Sequence, residues 1–233
     1  MSPPSRHPGQ LPMDYGTLER AMGRDGGAEL LFGAASTALE EVAAGRRELH
    51  AVRHPLGFFC LPVLRDGDQG VCVHLFEPDA AGPVPLTTSP LHCHSWELTS
   101  FVLYGEVGNL RIRVRPEHAQ PTHRVFEVHS SPSGVDEIQP TSRLVRCEPG
   151  PEQTSVCGEV YRLPAGEFHS TVVPSGSAAA TLVLGRSVPQ HTDLSLGPVH
   201  GTGHRVVRQT CDAVRTARSA RSALRRIHGH HPE

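Results

Sequence analysis

The sequence predicts an all-β domain carrying helical extensions at both ends. Between Leu49 and about Pro189 it breaks into many short apolar runs, and the 23 Gly and 21 Pro of its 233 residues supply the turns between them. Helical spacing of apolar residues is confined to one segment before this region and one after it. Many short strands with Gly/Pro turns imply a closed or sandwiched β architecture.

The elements follow in order. Residues 1 to about 13 are Pro-rich and expected to be disordered. Leu31, Ala35, Ala38 and Val42 form one helical stripe within Ala28–Ala44, with Gly45 as its stop. Strands are expected at Gly57–Leu61, Gly70–Phe76, Leu91–Tyr104, Asn109–Val114, Arg124–His129, Leu144–Cys147, Val160–Leu163, Ser170–Val173 and Ala180–Leu184. Residues 79–90 and those after about Pro189 read as polar loop. A last helix, Asp212–Ile227, places Ala213, Ala217, Ala220, Leu224 and Ile227 on one stripe, and arginines on its other faces read as solvated. His228, His230 and His231 belong to a mobile tail. Residues 1–48, 49–190 and 191–233 are thus expected to be an N-terminal extension with one helix, the β domain, and a C-terminal extension with a basic helix and disordered tail.

Composition narrows the function classes. The formal charge is −2, which gives no field to attract nucleic acid. Every basic residue is Arg, which excludes a P-loop lysine and a lysine Schiff base and has the flavour of a high-GC bacterial gene. No apolar run is long enough for a membrane span and the N-terminus lacks a signal-peptide core, so a cytoplasmic location with no membrane partner is expected. The six cysteines form no CxxC pair and are expected to be reduced and mostly buried. Nucleophile-elbow, HExxH and dinucleotide-binding signatures are absent.

The chemistry concentrates in two segments. In Leu91-His92-Cys93-His94-Ser95-Trp96-Glu97, strand alternation puts His92 and His94 on one face, where one divalent cation could take both. The second, Gly158 to His169, reads G-x5-P-x-G-x2-H: a strand, a tight turn, and a His aimed back towards the same cavity. Three neutral imidazoles would leave coordination positions open.

These two motifs, in this order, resemble those of the cupin superfamily over roughly residues 55–186. The second matches from Gly158 to His169, with Val173 where the family has Asn; the first matches at His92, His94 and Gly105. Leu86 stands at its leading Gly position, Leu98 at its Glu slot, and Glu97 lies one residue early. The resemblance implies a double-stranded β-helix (jelly-roll) barrel holding a metal on His92, His94 and His169, with Glu97 as a fourth ligand or acid/base group if a bulge turns it inward. Three-His cupins include the Fe(II)- and O2-using thiol dioxygenases. That family's Ser-His-Tyr set has no counterpart here, since Ala180–Arg186 contains neither His nor Tyr.

Five residues complete the expected pocket: His74, Trp96, Tyr104, Arg113 and Tyr161. For the strand 71–76, a purely apolar interior would bury Val71, Val73 and Leu75; the alternative puts Cys72, His74 and Phe76 inside. Arg111 and Arg113 face solvent unless their strand is inverted, in which case they could bind a carboxylate. The expected protein is a metal-dependent oxygenase acting on a small polar molecule, using Fe(II) and O2, and by resemblance a homodimer. The alternatives are a non-redox isomerase, lyase or decarboxylase on Zn, Ni or Mn, and a non-catalytic binding protein.

Overall fold

Local sequence sets the ends of the helices, and sheet pairing sets nearly everything between them. The computed structural model describes residues 14–78, 89–131 and 133–230. The expectations for residues 1–13 and for His231 lie outside these, as does most of the predicted loop 79–90. Helix α1 (Tyr15–Met22) is capped by Asp14, whose carboxylate accepts the Thr17 N–H at 2.9 Å. It is a second N-terminal helix where one was expected; two turns hold too few apolar positions to show a period. Helix α2 (Ala28–Ala43) buries Leu31, Ala35, Ala38 and Val42 as the stripe predicts, and Gly45, at φ 69°, follows its end.

Fourteen strands follow among the described residues: β1 (Val52–Arg53), β2 (Phe59–Asp66), β3 (Gln69–Phe76), β4 (His92–Cys93), β5 (Trp96–Tyr104), β6 (Glu106–Pro116), β7 (His123–Ser130), β8 (Val135–Val156), β9 (Val160–Leu163), β10 (His169–Val172), β11 (Ala179–Ser187), β12 (Leu194–Gly197), β13 (His204–Val207) and β14 (Gln209–Thr210). Helix α3 (Ala213–His230) ends the described chain, with Asp212 accepting the Arg215 N–H. One sheet runs β14-β1-β2-β3-β11-β5-β9 and the other β13-β8-β6-β10-β4-β12-β7. All pairings are antiparallel, and a further β8–β7 pairing closes the second sheet on itself. This is the predicted all-β, jelly-roll class with helices at both ends.

The β region extends further than expected. Strands β12, β13 and β14 pair with β4 and β7, with β8, and with β1, so the sheets continue to Thr210 rather than ending near residue 190. Strands of two to four residues separated by Gly- and Pro-containing turns carry little local signal; partners distant in sequence make them strands. The expected strand Leu91–Tyr104 is also interrupted. β4 lies in the second sheet and β5 in the first, so the chain crosses between sheets at His94 and Ser95.

The three helices cover the outer face of the first sheet. Leu18, Leu31, Phe32 and Leu39 pack with Phe59, Leu61, Val71, Val73, Leu75 and Phe101 in one core, where each fully buried large side chain contributes roughly 1.5–3 kcal/mol. Val71, Val73 and Leu75 therefore face the helices, and Cys72, His74 and Phe76 face the inter-sheet space. Arg218, Arg221, Arg225 and Arg226 of α3 are exposed, as expected, and Arg215 is half-buried. Arg221 donates to the Ala43 carbonyl at 2.7 Å at the end of α2, and Arg215 and Arg226 lie over the rings of Phe59 and Tyr104. The buried stripe of α3 is rotated from the expected one: Thr216, Ser219, Ala220, Ala223 and Ile227 are buried, and Ala213 is exposed.

Candidate metal centre

Strand pairing builds the histidine cluster. His169, the first residue of β10, stands opposite His92 of β4 in register, which brings the second motif against the first. The Pro164-Ala165-Gly166 turn is fastened to the same place: the Gly166 N–H donates to the His94 carbonyl at 2.8 Å. Gly166 has φ 76°, and a Cβ there would lie 2.6 Å from Nδ1 of His191. The crossover is pinned as well, since the Ser95 N–H donates to the Asp193 carboxylate at 2.6 Å.

The ligand atoms offered by His92, His94 and His169 all lie within 4.8 Å of one another. Their ring centroids are 4.5 Å apart for His92–His169, 4.8 Å for His92–His94 and 5.2 Å for His94–His169. Nδ1 of His92 lies 2.9 Å from the Pro90 carbonyl, and Nδ1 of His169 lies 2.9 Å from the Glu167 carbonyl. A carbonyl only accepts, so both Nδ1 atoms carry the proton and each neutral ring keeps its lone pair on Nε2. Burial holds the three rings neutral. It lowers the His169 pKa to about 4, with His92 adding to the effect, lowers that of His92, and lowers that of His94 well below the usual histidine range. Neutral imidazoles oriented by carbonyls fit a divalent transition metal.

The cluster lines a cavity of about 730 Å³ between the sheets. His74, Trp96 and Tyr161 line it too, as expected for the pocket. Trp96 lies 4.6 Å from the His94 ring, and Gly185 is what leaves room for it: a Cβ there would come within 2.6 Å of the indole. Burial pushes the Tyr161 phenol pKa up.

Three expected site residues stand elsewhere. Glu97 is exposed: Trp96 and Leu98 line the cavity, so alternation turns the residue between them outward, and no bulge intervenes there. Arg113 is exposed and donates to the Pro149 carbonyl at 3.0 Å, while Ile112 and Val114 of the same strand pack inward. Tyr104 is buried in the helix-covered core. The β5–β11 register passes from Val102 to Tyr104 without pairing Leu103, and that irregularity reverses the side on which Tyr104 falls.

Other cavity residues carry no motif. His54 stacks on Phe58 at 4.3 Å, and Phe58 in turn lies 4.7 Å from the His74 ring. Desolvation lowers the His54 pKa to about 3. Cys60 and Cys72 also face the cavity. Their only sequence signal is alternation within β2 and β3.

No protein-family model matches the chain, and no curated protein matches it. Among solved structures it is similar to the Schizosaccharomyces pombe Cnp3 cupin domain (7% identity, 57% of this chain and 63% of that one, TM-score 0.30). It is similar to the hydroxypropylphosphonic acid epoxidase of S. wedmorenis (12% identity, 60% and 55% covered, TM-score 0.34). A third is a cupin-like protein of unknown function from Ralstonia eutropha JMP134 (14% identity, 78% and 81% covered, TM-score 0.31). The chain spans less than two thirds of the first two, at 63% and 55% of their lengths. The fold is identified by the chain's own strand order and by where its two motifs meet. Two antiparallel sheets enclose a three-histidine cluster built from an HxH segment and a PxGxxH turn, which is the cupin-like jelly-roll fold that the two motifs imply.

Proposed function

We propose that the chain is a metal-dependent oxygenase acting on a small polar molecule, with Fe(II) held by His92, His94 and His169. The observation that carries this reading is the donor set: three neutral nitrogens facing an open cavity. Bound there, Fe(II) supplies open coordination positions for substrate and dioxygen. The chain's own residues do the rest. The Pro90 and Glu167 carbonyls fix the His92 and His169 rings, and Trp96 and Phe58 form apolar wall of the cavity. Of the three groups that a proton-transferring isomerase or lyase would draw on, Glu97 stands on the outer surface, whereas His74 and Tyr161 line the cavity.

The test is metal content by mass spectrometry on protein purified without a nickel column, followed by oxygen uptake with a panel of small polar substrates. One iron per chain is expected, lost in both His92→Ala and His169→Ala, with substrate-dependent uptake in the parent. Iron retained in both variants would overturn the site. Turnover supported by zinc or manganese without oxygen uptake would overturn the oxygenase.

A further inference from the structure

A second group of metal-ligating side chains faces the same cavity. The sulfurs of Cys60 and Cys72 and a ring nitrogen of His74 all lie within 4.8 Å of one another. Strand geometry produces this convergence. Cys72 and His74 are two apart on β3 and share its inner face, and Cys60 of β2 stands opposite His74 in register. The construction repeats that of the first centre, where an x-separated pair meets a ligand from a paired strand, but here two of the three donors are sulfur. Cys72 is buried, while Cys60 and His74 are partly open to the cavity, so a fourth position would point into it.

A disulfide fits this placement poorly. Cys72 pairs with Pro62 and Cys60 with His74, so the two cysteines are diagonal neighbours. Diagonal Cβ atoms are separated by somewhat less than about 7–8 Å, against the ~3.5–4.5 Å that a disulfide spans. An ion with metal–sulfur bonds of about 2.3 Å and a metal–nitrogen bond of about 2.0 Å bridges thiols that are further apart, and small rotamer changes would close the three donors onto it.

We propose that Cys60, Cys72 and His74 form a second metal site, thiophilic and suited to Zn2+, across the cavity from the three-histidine centre. The two sites differ in softness: a sulfur-rich set selects Zn2+, whereas the all-nitrogen set accepts Fe(II).

The experiment is a Co2+ titration of the full-length, fully reduced, metal-free protein, followed by optical absorption and by metal analysis. Two equivalents are expected, one of them with an intense thiolate-to-cobalt charge-transfer band that stoichiometric Zn2+ abolishes. The double variant Cys60→Ser/Cys72→Ser should bind one equivalent without the band. His92→Ala/His169→Ala should bind one equivalent with it. Cys60→Ser alone, at a partly open position, should lose most of the band and serves if the double variant does not fold. No band in the reduced parent, or a band of full strength in both cysteine variants, would overturn the second site. Neither result touches the three-histidine reading, whose own failure would show as unchanged stoichiometry in the histidine variant.

Discussion

His92, His94 and His169 were legible because they sit in two motifs that occur in order, although His94 lies at the crossover between the sheets and not on one strand face with His92. The carbonyls that orient His92 and His169 are only two residues away. Glu97, Arg113 and Tyr104 were not legible, because their direction depends on strand phase, and phase is set by pairing. Alternation with no bulge at Trp96–Leu98 sends Glu97 outward; an irregularity further along β5 takes Tyr104 out of the cavity. Glu97→Gln is therefore expected to leave metal content unchanged and stability within about 0.5 kcal/mol of the parent, as for ordinary surface substitutions. Metal analysis and urea unfolding check this; loss of metal in the variant would return Glu97 to the site.

The PxG turn shows how an element positions chemistry without supplying it. Gly166 adopts φ 76°, donates to the His94 carbonyl and lies against His191, so it ties the second motif to the first. Gly166→Ala should cost about 1–2 kcal/mol from the left-handed backbone alone, plus displacement of the His191 ring. Because the turn leads directly into His169, the variant should also bind metal more weakly. Thermal unfolding and metal titration test both, and an unchanged affinity would show that His169 is positioned by β10 pairing without help from the turn. In α3, single side chains do comparable work: Arg221 caps the last turn of α2, which a helical wheel drawn on the sequence displays only as a charged face.

The whole molecule encloses several neutral histidines in one cavity, and this links stability to pH. Burial lowers the His54 pKa to about 3 and that of His169 to about 4, the latter with His92 adding to it, while the unfolded chain protonates both near 6.5. Below about pH 6.5 the unfolded state binds more protons than the folded state, so stability rises with pH in this window and is lost as the pH falls towards the folded values. Metal-free protein should unfold at lower urea at about pH 5 than at about pH 7, with a limiting slope of about 1.4 kcal/mol per pH unit for each such histidine. His54→Gln should flatten the dependence. A parent midpoint that is flat or rises on acidification would contradict the buried neutral assignment.

Composition, periodicity and two motifs were enough for the β class, for helix α2, for most strand positions and for the three histidines, because these depend on neighbours within a few residues. Contacts between distant segments settled the remainder. Strands β12–β14 exist because β4, β7, β8 and β1 offer them hydrogen bonds. His74 faces the cavity because helices α1, α2 and α3 claim the valines and leucine on the other face of its strand. Cys60 meets Cys72 and His74 because β2 pairs with β3 in one register. A side chain's type is local, but the face it occupies is chosen by whatever packs against its strand, and that is not written at any single position.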